Sequence, residues 1–250
     1  MVWFENNGSQ SFTERTISNN NNGTPKKILA ADMDNDGDID VIVASFSGEE
    51  VLVYQNNGSE NFSQVSLGRS PDCDNCESIA IVDLDQDGDN DIVFASPEDG
   101  VGWYLNNGNS NFSGSWFSKG SLVAFSIDFA DIDGDGDIDL LASGTGPHGS
   151  GIGNNYDSRD NKIIWYENDG SESFTAHTVS TKSNSATDKK YYTSSHALDM
   201  DKDGDIDIIS GNYDKTISFF ENNGYEVFTE KSFGGSHSIK HIFPVDLDQD

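Results

Sequence analysis

Asp32-Met33-Asp34-Asn35-Asp36-Gly37-Asp38-Ile39-Asp40, running straight into Val41-Ile42-Val43-Ala44-Ser45, is the stretch that decides the fold. The pattern D-x-D-x-D-G-D-x-D returns at Asp83–Asp91, Asp131–Asp139 and Asp199–Asp207, and Asp246, Asp248 and Asp250 begin it a fifth time. Self-similarity at a fixed period marks a repeat architecture. Alternate side chains of a tight loop converge when Gly relaxes the backbone between them, and converging carboxylates make an all-oxygen cage for a hard cation. Calcium suits such a cage because it accepts six to eight oxygens in flexible geometry.

The expected side-chain ligands are Asp32, Asp34, Asp36 and Asp40 in the first loop, and Asp83, Asp85, Asp87 and Asp91 in the second. Asp131, Asp133, Asp135 and Asp139 follow in the third, and Asp199, Asp201, Asp203 and Asp207 in the fourth. The carbonyls of Asp38, Asp89, Asp137 and Asp205 complete each cage, with one calcium ion per loop. An EF-hand shares D-x-D-x-D-G but needs a bidentate Glu at position 12 and flanking helices. Position 12 here is Val43, Phe94, Ala142 or Ser210, and a short apolar run follows each loop, which reads as strand. Asp and Gly also make plain polar turns. Four complete copies, each crowding five mutually repelling carboxylates, count against that reading.

The 250 residues carry a formal charge of −30, and 23 of the 44 acidic residues lie in the Asp loops. The acidity is therefore mostly cage chemistry. It argues against nucleic acid or anionic membrane as partners, which need basic surface. No apolar run approaches the length that crosses a bilayer, and Met1-Val2-Trp3-Phe4-Glu5 does not read as a signal peptide. Cages of low affinity fill outside the cell, where calcium is abundant, so a secreted or cell-surface parent is expected. Cys73 and Cys76 lack the second pair a structural zinc site needs, leaving a small disulfide or two free thiols.

A second element sets the register. Trp3-Phe4-Glu5-Asn6-Asn7-Gly8 recurs as Val53–Gly58, Trp103–Gly108, Trp165–Gly170 and Phe219–Gly224, an aromatic strand ending in a hairpin turn. Phe12, Phe62, Phe112, Phe174 and Phe228 each stand four residues after the turn Gly. One unit then reads strand A (Lys27–Ala31), Asp loop, strand B (Ile39–Ala44), strand C (Val51–Gln55), turn, strand D (Phe62–Leu67). Four sequential antiparallel strands in roughly 50 residues make the blade of a β-propeller, with the aromatics packing between blades. The fold class is thus all-β, a single propeller domain over 1–250 with a split fifth unit.

The Asp loop, the apolar run behind it and the N-N-G-x-x-x-F turn resemble FG-GAP repeats of the bacterial VCBS type, related to the calcium-binding blades of integrin α-subunits. The resemblance covers essentially the whole chain and implies an extracellular, calcium-bearing propeller of seven or eight blades used mostly for binding. Strands C and D open the chain and strand A with half an Asp loop (Ile239–Asp250) closes it. It is read as an excerpt of a larger ring, with closure of five blades as the alternative.

In an up-and-down blade the A–B and C–D connections share one face, which places the Asp loops and Asn-Asn-Gly turns together. The third unit takes 37 positions from loop start to turn Asn against 23 or 24 elsewhere, and the next D–A connection is also long. Segments Ser143–Lys162 and Ser180–Ser195 therefore extend the opposite face. They offer His148, Asn155, Tyr156, Arg159, Lys189, Lys190, Tyr191 and Tyr192 as candidate contacts for a glycan or an extracellular protein, unless they are solvated insertions. His196, three residues before Asp199 on an inner strand, is the candidate general base. The sequence thus reads as a non-catalytic binding or adhesion module. A calcium-dependent polysaccharide lyase or hydrolase is one alternative, and a spacer in a large adhesin is another.

Overall fold

A computed structural model describes residues 1–19, 24–45, 51–65, 67, 73, 76, 78–96, 99–108, 111–119, 122–146, 160–170, 173–183 and 191–245. His148, Asn155, Tyr156, Arg159, Lys189, Lys190, Asp246, Asp248 and Asp250 lie outside the described residues.

The described chain is built of strands alone. β1 (Val2–Asn6) and β2 (Phe12–Thr16) form a hairpin. Four four-stranded antiparallel sheets follow in chain order: β3 (Pro25–Ala31), β4 (Asp40–Ser45), β5 (Val51–Asn56) and β6 (Phe62–Val65); then β7 (Ser78–Val82), β8 (Asp91–Ser96), β9 (Gly100–Asn106) and β10 (Phe112–Lys119). The third holds β11 (Val123–Ala130), β12 (Asp139–Thr145), β13 (Asn161–Asn168) and β14 (Phe174–Lys182). The fourth holds β15 (Tyr192–Leu198), β16 (Asp207–Asn212), β17 (Thr216–Glu221) and β18 (Thr229–Gly234). This is the blade expected from the repeat. The sheets do not close into a ring, so the described chain is a partial β-propeller.

Side chains alternate across a strand. Here both faces of the two middle strands are buried, which is why they read as unbroken apolar runs. Ile42, Ala44 and Val53 face the second sheet in one cluster with Ile79, Ile92 and Phe94. Val43, Leu52 and Tyr54 face the other way, against Met1 and Ile17 of the N-terminal hairpin. Further clusters join the second sheet to the third through Val93, Trp103 and Leu140, and the third to the fourth through Trp165, Tyr192 and Phe220. The core therefore sits between blades. Phe62, Phe112, Phe174 and Phe228 each pack on one of these clusters, whereas Phe12 is exposed.

The first strands of successive sheets run beside one another, β3 by β7, β7 by β11 and β11 by β15, which makes them the inner strands. Residues 239–245 form no strand, contrary to the reading of strand A at Ile239. They lie instead against β15 and β16, where the Ile239 amide donates to the Asn212 carbonyl and Thr193 Oγ1 to the Ile239 carbonyl. A ladder needs a partner on the strand's own sheet, and among the described residues none lies alongside. Cys73 and Cys76 are joined in a disulfide, buried between the first two sheets.

Candidate metal centres

Each Asp loop is held by one local pattern. The Gly at position six donates its amide to Oδ2 of the first Asp, at 2.9 Å in the first loop (Gly37 to Asp32) and 3.1 Å in the others (Gly88 to Asp83, Gly136 to Asp131, Gly204 to Asp199). The amide at position seven donates to Oδ1 of position five in all four, as Asp38 does to Asp36 at 2.8 Å. These bonds turn the carboxylates inward. Asp32, Asp34 and Asp36 bring one oxygen each within 4.8 Å of one another, as do Asp83, Asp85 and Asp91, then Asp131, Asp133 and Asp139, then Asp199, Asp201 and Asp203.

One atom of each cluster tests whether a cation fits. Oδ1 of Asp32, Asp83, Asp131 and Asp199 is buried with no hydrogen-bond partner, in all four described loops. Asp34 Oδ1 shares that condition. A buried unpaired carboxylate oxygen is costly unless an ion or water meets it. All-oxygen donors repeated at the same position fit a hard divalent cation.

The ninth-position carboxylates do something the sequence reading did not foresee. Asp139 is fully buried; its Oδ2 accepts the Ile132 amide at 2.8 Å and its Oδ1 the Asn168 amide at 2.8 Å. Asp40, Asp91 and Asp207 repeat this clamp between loop and third strand. The expectation made them ligands only. In the second and third loops the same residue also stands in the carboxylate cluster, a geometry open to both roles because each oxygen has two lone pairs.

The first Asn of each turn does more than shape the turn. Asn106 donates its side-chain amide to the carbonyl of Met33, at 2.6 Å, in the preceding loop. Asn168 does so to Leu84 at 3.1 Å and Asn222 to Ile132 at 3.5 Å. The signal was present in the unvarying Asn-Asn-Gly, but its partners sit a whole blade away. The position-seven carboxylates turn toward the turn glycines: a Cβ on Gly170 would stand 2.5 Å from Asp137 Oδ2, and one on Gly224 would stand 2.7 Å from Asp205 Oδ2. Asp38, Asp89, Asp137 and Asp205 thus spend their side chains outside the cages, and any contribution to an ion comes from their carbonyls. Gly170 also has φ +70°, so Gly170→Ala combines strain with a clash and is expected to cost about 1–3 kcal/mol, read by urea denaturation.

A profile for the FG-GAP-like repeat matches residues 1–43, 32–94, 83–142 and 199–250, placing an Asp loop in each matched segment. The chain belongs to the FG-GAP-like repeat family. Residues 143–198, which hold both long connections, fall outside the matched segments of these FG-GAP-like repeats. No curated protein matches the chain. Among solved structures it is similar to Raptor of Chaetomium thermophilum, with a TM-score of 0.53 and 17% identity over 89% of this chain. The chain spans 18% of that protein, and the likeness is one of fold. A BBS1N in complex with ARL6DN is matched over 88% of this chain and 70% of its own, at 8% identity and a TM-score of 0.42.

Burial drives the electrostatics of these FG-GAP-like loops. It pushes the Asp91 and Asp139 carboxyls up from 3.8 to about 7, overriding the two amides that donate to each. Burial also raises Asp34, Asp40, Asp133 and Asp207, with neighbouring carboxylates adding to it. A folded value above the unfolded one means the ion-free folded chain holds more protons than the unfolded chain between those pH values. Ion-free protein is therefore expected to lose stability as pH rises from 3.8 towards 7. Calcium should reverse the sign, because protons then compete with the ion. Melting curves at pH 5 and pH 7 (about one and three pH units above the ordinary carboxylate value), with and without chelator, check both signs.

Of the ligand candidates on the far face, Tyr191 is half-buried against Tyr213, with ring centroids 5.9 Å apart. Tyr192 is not a ligand contact. It is fully buried in the cluster between the third and fourth sheets, its hydroxyl 2.7 Å from Ser180 Oγ. Its place at the start of β15, facing β13, consumes the ring as core. His196 is half-buried, Nδ1 3.2 Å from Asp128 Oδ2 and Nε2 2.9 Å from the Ile242 carbonyl. The hydrogen bond to Asp128 raises its pKa, against the opposing effect of burial.

Proposed function

We propose that the chain is a calcium-stabilised β-propeller module of an exported protein, which binds a polar ligand, glycan or protein, without chemistry of its own. The observation that carries the metal half is the buried, unpartnered first-Asp oxygen in all four loops. Calcium bound there supplies positive charge that neutralises the clustered carboxylates and pins each A–B loop. Asp32, Asp34 and Asp36 would hold it in the first loop, and the clustered carboxylates of each other loop would hold it there. The disulfide Cys73–Cys76 supports an oxidising compartment.

The binding half rests on the end away from the cages. Ser143 Oγ, Thr145 Oγ1 and both polar atoms of Asn161 are buried there without partners, on the strands that flank the first long connection. Buried polar atoms of this kind are met by water, ion or ligand. The net charge of −30 supports partners other than nucleic acid or anionic membrane. Among the described residues no helix is long and apolar enough to cross a membrane.

A lyase or hydrolase remains the alternative that His196 carries. Both of its ring nitrogens are engaged, so a base there must first surrender Asp128 or Ile242. A glycan array and a pull-down against surface proteins, followed by turnover assays on every hit, separate the readings. Binding without turnover is expected. Turnover lost in His196→Ala would establish the enzyme instead, and silence in all assays would favour a spacer.

A further inference from the structure

Neighbouring Asp loops are stitched together by the side chain at position four. Asn35 of the first loop donates through Nδ2 to Asp89 Oδ1 of the second. Gln86 of the second donates through Nε2 to the Gly136 carbonyl at 2.8 Å and to Asp137 Oδ1 at 3.3 Å in the third. Each bridge is a planar NH2 group laid on the position-seven carboxylate of the next loop. At the third junction position four is Gly134, which has no side chain to offer.

A shallow cleft, open to solvent, stands where the bridge is missing. Gly134 and Asp133 line one wall, and Asp205, Asn222, Gly224 and Glu226 the other. Among the described residues no donor reaches the Asp205 carboxylate. The Asn222 contact to Ile132 across this junction is also the longest of its kind, at 3.5 Å. The two filled junctions show what chemistry the third accepts: a flat donor meeting the position-seven carboxylate, joined at the second junction by a loop carbonyl.

We propose that this cleft receives an arginine side chain from a protein partner, its guanidinium taking the place that Asn35 and Gln86 fill at the other junctions. A guanidinium is planar, carries several N–H donors in a fixed fork and is permanently charged, so it matches Asp205 and Glu226 better than a lysine point charge does. An ion held in the third loop would occupy Asp131, Asp133 and Asp139 and leave Asp205 and Glu226 for the incoming group. The inference goes beyond the calcium-module reading, because side-chain bridges rather than ions define the junctions.

The test is an NMR titration of the full, isotope-labelled chain in calcium buffer with N-acetyl-arginine methylamide. N-acetyl-citrulline methylamide serves as the uncharged isostere. Saturable shifts at the amides of Gly134, Gly204 and Gly224 are expected, with Kd on the order of 1 mM for so small a probe. Gly134→Asn rebuilds the bridge and is expected to weaken binding about tenfold or more, the factor that one lost charge-assisted contact carries. It should fold, because Asn35 adopts φ 58° at the same loop position and a Cβ at Gly134 meets nothing within 4 Å. Asp205→Asn supplies an independent variant with the same expected loss. Unsaturable shifts, undiminished binding in either variant, or equal binding of citrulline would overturn the proposal. Metal content measured on the same samples keeps this outcome separate from the fate of the calcium reading.

Discussion

Stripping calcium from the loaded protein is expected to lower its melting temperature by about 20 °C or more. At a hundred times Kd, one independent site adds about 2.7 kcal/mol, and four cages therefore add about 11 kcal/mol. That is comparable to the whole stability of an ordinary domain. For a chain of this size each kcal/mol moves the midpoint by roughly 2–4 °C. The ion-free state has a specific liability: in each of the four described loops three carboxylates bring one oxygen each within 4.8 Å of one another, and their charges repel. Differential scanning fluorimetry with chelator, on protein shown beforehand to carry metal, reads the effect. An unchanged midpoint would remove the stabilising role of the ion.

Asp139→Ala is expected to cost about 3 kcal/mol, and to do so with or without calcium. The substitution leaves the amides of Ile132 and Asn168 without acceptors at a fully buried position. An unpaired buried donor costs about 1–3 kcal/mol, and the raised pKa of Asp139 shows that burying the charge already offsets part of what its hydrogen bonds contribute. Asp135→Ala is the comparison. Among the described residues its carboxylate accepts the Asp137 amide alone, in the exposed part of the loop, so its loss should matter chiefly when calcium is present. Urea denaturation of both variants, with calcium and with chelator, separates clamp from ligand. Equal losses confined to calcium would make Asp139 a ligand alone.

The blade was legible because two local signals agreed. The Asp loop before an apolar run and the Asn-Asn-Gly or Asn-Asp-Gly turn before Phe each specify backbone geometry within a few residues. Together they bracketed β4 and β5 within one residue of their ends. What stayed hidden depends on neighbours distant in sequence. Asn222 meets Ile132 across 90 residues, and His196 meets Asp128 across 68. No periodicity within a unit announces either contact. Tyr192 misled for a related reason: a Tyr beside a long polar connection reads as surface until the facing β13 and β17 are known to bury it. The ninth-position Asp was half legible. Its carboxylate was correctly taken to turn inward, but whether it meets an ion or an amide depends on where the next strand ends.

Isothermal titration of calcium into the chelator-stripped chain tests the central claim most directly. Saturable binding at no fewer than four sites per chain is expected, falling by one when Asp83→Ala removes the oxygen left unpartnered in the second loop. Absence of saturable binding, or a stoichiometry that Asp83→Ala leaves unchanged, would contradict it.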